Sequence, residues 1–236
     1  MTLNLDERLS LAASFVRPGK RFADIGSDHA YLPIHLVLSG KTDIALASDI
    51  NAGPVESAIQ NINTYGVQDK VSAICSDGLA GAYDFSPEDI AILGMGGELI
   101  EAIMSRAEWV RNEGVRLILQ PMTHAESLYT YLCSNGFSIV DEGICATSDK
   151  RSDRIYRVIV AEFSGEIAFP TRVEAFVGKK NIERYKTQGD ELVKRYVKHL
   201  IEVWGVRLNG KKYAGIDASD EAAFISELEE IIKTEK

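Results

Sequence analysis

Short, continuous apolar runs alternate with segments whose apolar positions recur every three or four residues, and this alternation holds from the N-terminus to about residue 165. Leu5, Leu9, Ala12, Ala13 and Val16 keep helical spacing, and Arg17-Pro-Gly-Lys interrupts it before Phe22-Ala-Asp-Ile. The pattern predicts one helix and then a first strand. Tyr31–Leu38 reads as a short helix with Pro33 tolerated in its first turn, closed by Ser39-Gly-Lys. Ile44-Ala-Leu-Ala-Ser is apolar throughout, as expected of a parallel strand buried on both faces. Asn51–Tyr65 is an amphipathic helix with Val55, Ala58, Ile59 and Ile62 inward, stopped by Gly66. Val71–Cys75, Asp89–Leu93 and Val115–Leu119 repeat the strand pattern, and helices are predicted from near Glu98 and over Ala125–Asn135. Phe137–Ile144 and Ile155–Phe163 are β-rich runs joined by a polar loop, the pattern of an antiparallel hairpin at a sheet edge.

Five βα units and a hairpin give an α/β fold with a seven-stranded sheet, mostly parallel, over residues 1–165. Glu166–Pro170 reads as a linker, and beyond it only the helical period remains. Leu192, Tyr196, Val197, Leu200, Val203 and Trp204 mark one helix, and Ala223, Ile225, Leu228, Ile231 and Ile232 a returning one. With Gly205–Gly215 as the turn, residues 171–236 are expected to form a two- or three-helix antiparallel extension.

Composition narrows the class. Hydrophobic residues make up 45% and charged residues 26% of the 236 positions, with no apolar run near the ~18 residues of a membrane span. The first residues carry acids and lack a basic-then-apolar leader, so a cytoplasmic protein is expected. Cys75, Cys133 and Cys145 are widely spaced, which argues against a disulfide framework and a zinc site. No metal and no obligate protein partner is expected.

The net charge of −9 is unevenly spread: −10 over residues 1–170, +6 over 171–212 and −5 over 213–236. A basic segment on an acidic body suits either a nucleic-acid face or a solvated helix surface.

The polar residues of interest sit where strands end. Ligands of open α/β sheets bind outside the carboxyl ends of the strands. The first strand ends in Asp24-Ile-Gly-Ser-Asp-His-Ala-Tyr-Leu-Pro, the second in Asp49, the third in Ser76-Asp77-Gly78, and the fourth in Gly94-Met95-Gly96-Gly97. An acid at Asp49 lies where nucleotide folds accept hydrogen bonds from ribose hydroxyls. The glycines after the fourth strand allow close approach of backbone to a ligand. Gly26-Ser-Asp-His-Ala does not fit the G-x-G-x-x-G dinucleotide pattern.

This layout resembles the Rossmann-like S-adenosylmethionine methyltransferases. The combination of D-I-G-S-D-H-A-Y-L-P, G-M-G-G and L-I-L-Q-P-M, spanning Asp24–Met122, is similar more narrowly to the bacterial TrmK family of tRNA (adenine22-N1)-methyltransferases. That family carries a helical, coiled-coil-like extension after its catalytic domain. The resemblance implies S-adenosyl-L-methionine as cofactor and tRNA as partner. It places Asp24, Gly26 and Ser27 at the methionine part of the cofactor, Asp49 and Ile50 at the ribose, and Asp77 and Gly78 at the adenine, with Gly94, Met95 and Gly96 alongside. Asp28 would steady the charge developing on the target base or accept its N6 proton, and His29 and Tyr31 would orient or stack it. Phosphates would be gripped by Lys150, Arg151 and Arg154 on the hairpin and by Lys179, Lys180, Arg184, Lys186, Lys194, Arg195 and Lys198 on the extension. A methyltransferase acting on a small molecule or protein, and a non-catalytic RNA-binding scaffold of the same fold, are the competing expectations.

Overall fold

The structure is a computed structural model that describes residues 3–149 and 152–233. Lys150 and Arg151 therefore lie outside the described residues. The chain divides into two compact units at Phe169 and Pro170.

In the first unit, α1 (Glu7–Phe15) precedes β1 (Phe22–Ile25), α2 (Tyr31–Leu38), β2 (Ala45–Asp49), α3 (Ala52–Tyr65) and β3 (Val71–Cys75). Then follow β4 (Asp89–Gly96), α4 (Gly97–Ser105), β5 (Arg116–Thr123), α5 (Ala125–Ser134), β6 (Phe137–Asp149) and β7 (Ser152–Phe163). The seven strands form one sheet in the order β3-β2-β1-β4-β5-β7-β6. β1 pairs in parallel with both β2 and β4, so the strand order reverses at β1 and opens a crevice beyond its carboxyl end. β7 enters antiparallel between β5 and β6.

The apolar runs are buried as their composition requires: Phe22, Ala23 and Ile25 of β1, Ile90–Ile92 of β4 and Leu117–Leu119 of β5 are essentially inaccessible. α1 packs against β6 at Gly143, where a Cβ would fall 2.9 Å from Leu11 and 3.0 Å from Phe15. At the other end of the strands, buried Asp89 takes the Arg17 backbone N–H and its guanidinium, locking the end of α1 to the start of β4.

Several expectations change. Ile59, expected inward on α3, is 44% exposed. The fourth strand does not stop at Leu93. β4 continues through Gly96, with register shifts between Leu93 and Met95 and between Met95 and Gly96, and α4 starts at once on Gly97. The hairpin strands are also longer, reaching Asp149 and starting from Ser152, because polar residues on an edge ribbon still pair through their backbones.

The second unit contains α6 (Arg172–Val177), α7 (Lys179–Gln188), α8 (Glu191–Tyr213) and α9 (Ser219–Ile232) among the described residues. These are four helices where two or three were expected. Gly178 and the left-handed Gly189 divide the first part, and α8 runs through Gly205 and Gly210, so that the turn begins only at Ala214. Phe176, Trp204 and Phe224 meet with ring centroids 4.9–5.6 Å apart at its core. Arg172 lies over the Trp204 and Phe224 rings and holds Asp220 through both terminal nitrogens.

Candidate active site

After β1 the chain turns at Gly26, whose φ of +79° favours glycine. A Cβ at this position would lie 2.1 Å from Met95 Cε, so the absence of a side chain also admits Met95 from β4. The N–H groups of Gly26 and Ser27 both donate to the Ser48 carbonyl, at 2.7 and 2.9 Å, which clamps the turn to β2. Asp28 and His29 follow, then Ala30 in the left-handed region, and α2 begins at Tyr31.

This turn forms one wall of a cleft of about 190 Å³ lined by Arg8, Asp24, Gly26, Asp28, His29 and Tyr31 among others. Asp24 is 7% exposed, and burial pushes its carboxyl up to about 6 against the opposing pull of the Ser27 hydrogen bond and the Arg8 charge. His29 Nε2 lies 3.2 Å from Asp28 Oδ2, and the His29 ring stacks on Tyr31 at 5.2 Å. The cleft therefore carries an acid and an aromatic pair, both accessible to solvent at its edge.

Arg8 does not stand out in the sequence, where α1 reads only through its apolar face. Its Nη1 donates to Gln120 Oε1 at 3.1 Å, and the same oxygen accepts from the Gly94 N–H at 3.1 Å. Gln120 is fully buried on β5, and its Nε2 donates to the Pro121 carbonyl at 3.0 Å, which leaves its oxygen facing Arg8. The signal in the sequence is Gln120 itself, a carboxamide ending an otherwise apolar strand.

The other strand-end acids lie along the same edge of the sheet. Asp49 Oδ1 accepts from the Asn51 N–H at 2.8 Å, which shapes the start of α3, and Ile50 beside it is 60% exposed. Asp77 is held by Arg106 Nη1 and Nη2 at 2.8 and 3.2 Å. Asp77, Ile103, Arg106 and Trp109 border a second cleft of about 150 Å³. Gly78, with φ +55°, brings its backbone against Ile103, and Gly96 lies beside Thr123.

Thus the structure brings Asp24, Gly26, Ser27, Asp28, His29 and Tyr31 around one cleft, which Leu93 of β4 also lines, while Gly94 and Met95 lie behind it against Arg8 and Gly26. Asp49, Ile50, Asp77 and Gly78 stand at the ends of the neighbouring strands β2 and β3. Arg154 is exposed on β7. In the helical unit Lys179, Lys186 and Lys198 are exposed, whereas Arg195 is half-buried on α8. Lys180 and Lys194 lie 3.7 and 3.4 Å from Glu183 and Glu191, and Arg184 donates to Asn181 Oδ1 at 3.1 Å. Among the described residues there is no group of three or more His, Cys, Asp or Glu suited to a metal ion, and no helix is long and apolar enough to cross a membrane.

The methyltransferase domain family matches residues 5–159. The tRNA (adenine(22)-N(1))-methyltransferase of Bacillus subtilis is 37% identical over 160 residues, 68% of this chain and 66% of that protein. The crystal structure of the B. subtilis M1A22 tRNA methyltransferase TrmK superposes with a TM-score of 0.81 at 26% identity, covering 98% of this chain and 100% of the other. A putative tRNA (m1A22) methyltransferase of Streptococcus pneumoniae, solved in complex with S-adenosyl-L-methionine, gives 0.79 at 28% identity over 97% and 100% of the two chains. With its strand order, its three strand-end acids and its helical extension, the chain belongs to the methyltransferase domain family and is similar over nearly its whole length to the TrmK tRNA methyltransferase.

Proposed function

We propose that this protein methylates N1 of adenine 22 in tRNA, using S-adenosyl-L-methionine, in the cytoplasm. The observation that carries the reading is the cleft in which Asp24 and Arg8, of opposite charge, face the same space beside the Asp28-His29-Tyr31 turn. An α-amino acid end needs an acceptor for its ammonium and a donor for its carboxylate. Asp24 and Arg8 supply these, and the side chain missing at Gly26 leaves room for the thioether of Met95 nearby. The residues present therefore fit the methionine part of the cofactor, and Asp49 and Asp77 offer acceptors to its ribose and its adenine.

The bound cofactor supplies an activated methyl on a sulfonium, so the protein needs no nucleophile of its own. Its task is to hold the base at attack distance, an effect able to supply ~7–11 kcal/mol of the barrier. The stacked rings of His29 and Tyr31 offer a face for the target adenine, and Asp28 places a negative charge where the ring becomes cationic. N1 lies on the pairing edge of the base, so the RNA must present adenine unpaired or extruded. Arg154 in the first unit, and separately the cations of α7 and α8 in the second, are assigned to phosphates. Incubation of unmodified tRNA with methyl-labelled cofactor, followed by nucleoside analysis, should place 1-methyladenine at position 22. Absence of label in the RNA would overturn the assignment.

A further inference from the structure

We infer that Asn61, on α3, is a positioning residue for the reaction, acting through the backbone of the Asp28-His29 turn. Its Nδ2 donates to the His29 carbonyl at 3.0 Å across a sequence separation of 32 residues. That carbonyl immediately precedes Ala30, which sits at φ 56° and ψ 23° and is almost wholly buried. A left-handed conformation is unfavourable for an L-residue with a Cβ and persists only where its surroundings hold it. The start of α2 gives little help, since the side chain at its N-cap is the methyl of Ala30 and makes no capping bond. From the preceding side the turn is clamped by Gly26 and Ser27 on Ser48. From the following side it is held by Asn61. Between these two fixed points lie Asp28 and His29, whose side chains are exposed and touch chiefly each other and Tyr31. Their direction is thus set by the backbone that carries them, and Asn61 fixes the peptide between His29 and Ala30.

The inference rests on the proposed roles of Asp28 and His29, and the experiment separates the two. Asn61→Ala places a better helix former within α3, so loss of stability is not the expected result. The variant should keep its melting temperature and its KM for the cofactor, while kcat on tRNA falls about tenfold, the rate equivalent of one hydrogen bond. Asn61→Gln keeps an amide donor and should retain more activity than Asn61→Ala. Asn61→Asp replaces the donor by an acceptor facing the carbonyl and should retain less. Asp28→Asn is run beside them. If Asp28→Asn turns over normally, the site reading fails; if it is impaired while all three Asn61 variants match the parent in kcat, the positioning role of Asn61 fails. A kcat that merely follows the melting temperature across the series would also overturn it.

Discussion

Asp77 offers both carboxylate oxygens to Arg106, so the acid that ends β3 is already paired before any ligand arrives. Both side chains are more than half exposed, so the pair orients the carboxylate more than it stabilises the fold. Asp77→Ala should weaken cofactor binding about tenfold, the scale of one charge-assisted hydrogen bond, with no change in melting temperature. Arg106→Gln leaves the acceptor in place and should cost less. Calorimetric titration of both variants checks this, and a larger drop in affinity for Arg106→Gln would assign the interaction to the guanidinium.

Asp24 gives a pH signature. Its carboxyl is raised from 3.8 to about 6 by burial, so the folded protein holds a proton there over a window in which the unfolded chain has lost it. The sign follows from linkage: this group's contribution to stability is largest below pH 4, declines as pH rises through 6 and is constant above. At ~1.4 kcal/mol per pKa unit the ionised, buried carboxylate costs about 3 kcal/mol at neutral pH. Asp24→Asn should therefore melt higher than the parent at pH 7.5, with the gap closing toward pH 4, while losing cofactor affinity. In the parent, affinity should fall as pH drops below 6. Urea titrations and calorimetry across this range test both halves.

Glu142 and Arg157 form an ion pair buried in the hairpin, with N–O distances of 2.7 and 3.0 Å and Arg157 lying over the Tyr129 ring at 4.6 Å. Removing one charge takes from the other its partner at 2.7–3.0 Å in a buried setting. Glu142→Ala should destabilise by about 3–5 kcal/mol, whereas replacing both by leucine should recover much of that stability. Chemical denaturation of the two variants decides it.

For the helical unit, Lys179, Lys186 and Lys198 are the exposed cations to remove together. Every phosphate that a cation no longer neutralises lowers the slope of log affinity against log salt by about 0.7–0.9, so the triple alanine variant should bind tRNA with a slope about 2 lower. Its cofactor affinity should be unchanged. Filter binding over a salt series measures the slope, and coincident lines would place the RNA on another surface.

The catalytic fold was legible because parallel strands buried on both faces read as unbroken apolar runs. Phe22–Ile25, buried at every position, is bounded in the structure as its pattern predicts, and so is Val71–Cys75 although it lies partly exposed at the edge of the sheet. Asp24, Gly26 and Asp28 stood out because they interrupt such a run. Arg8 did not, since one cation on an amphipathic helix looks like solvated surface until tertiary packing brings Gln120 to it. Asn61 was hidden for the same reason: its partner is a backbone carbonyl, which no side-chain pattern encodes. The continuation of β4 through Gly94 and Gly96 was masked by glycine, whose turn preference was overruled by pairing with β5. In the helical unit, the charge of α7 concealed a short helix between two glycines.

The hairpin bears on size selection. β5 pairs with β7 only from Arg116 to Leu119, whereas β6 and β7 stay paired from Gly143 and Val158 out to Asp149 and Ser152. At ~3.4 Å per residue the two strands run on as a ribbon for roughly 20 Å. Because β7 is antiparallel to β5, the ribbon extends toward the carboxyl ends of the parallel strands, the side on which the cleft opens. Under the proposed function the ribbon would act as a gauge, since a nucleic acid reaching from the cleft along the ribbon would have to bridge a set length. A free nucleoside or short oligonucleotide would forfeit that second foothold, whatever its sequence.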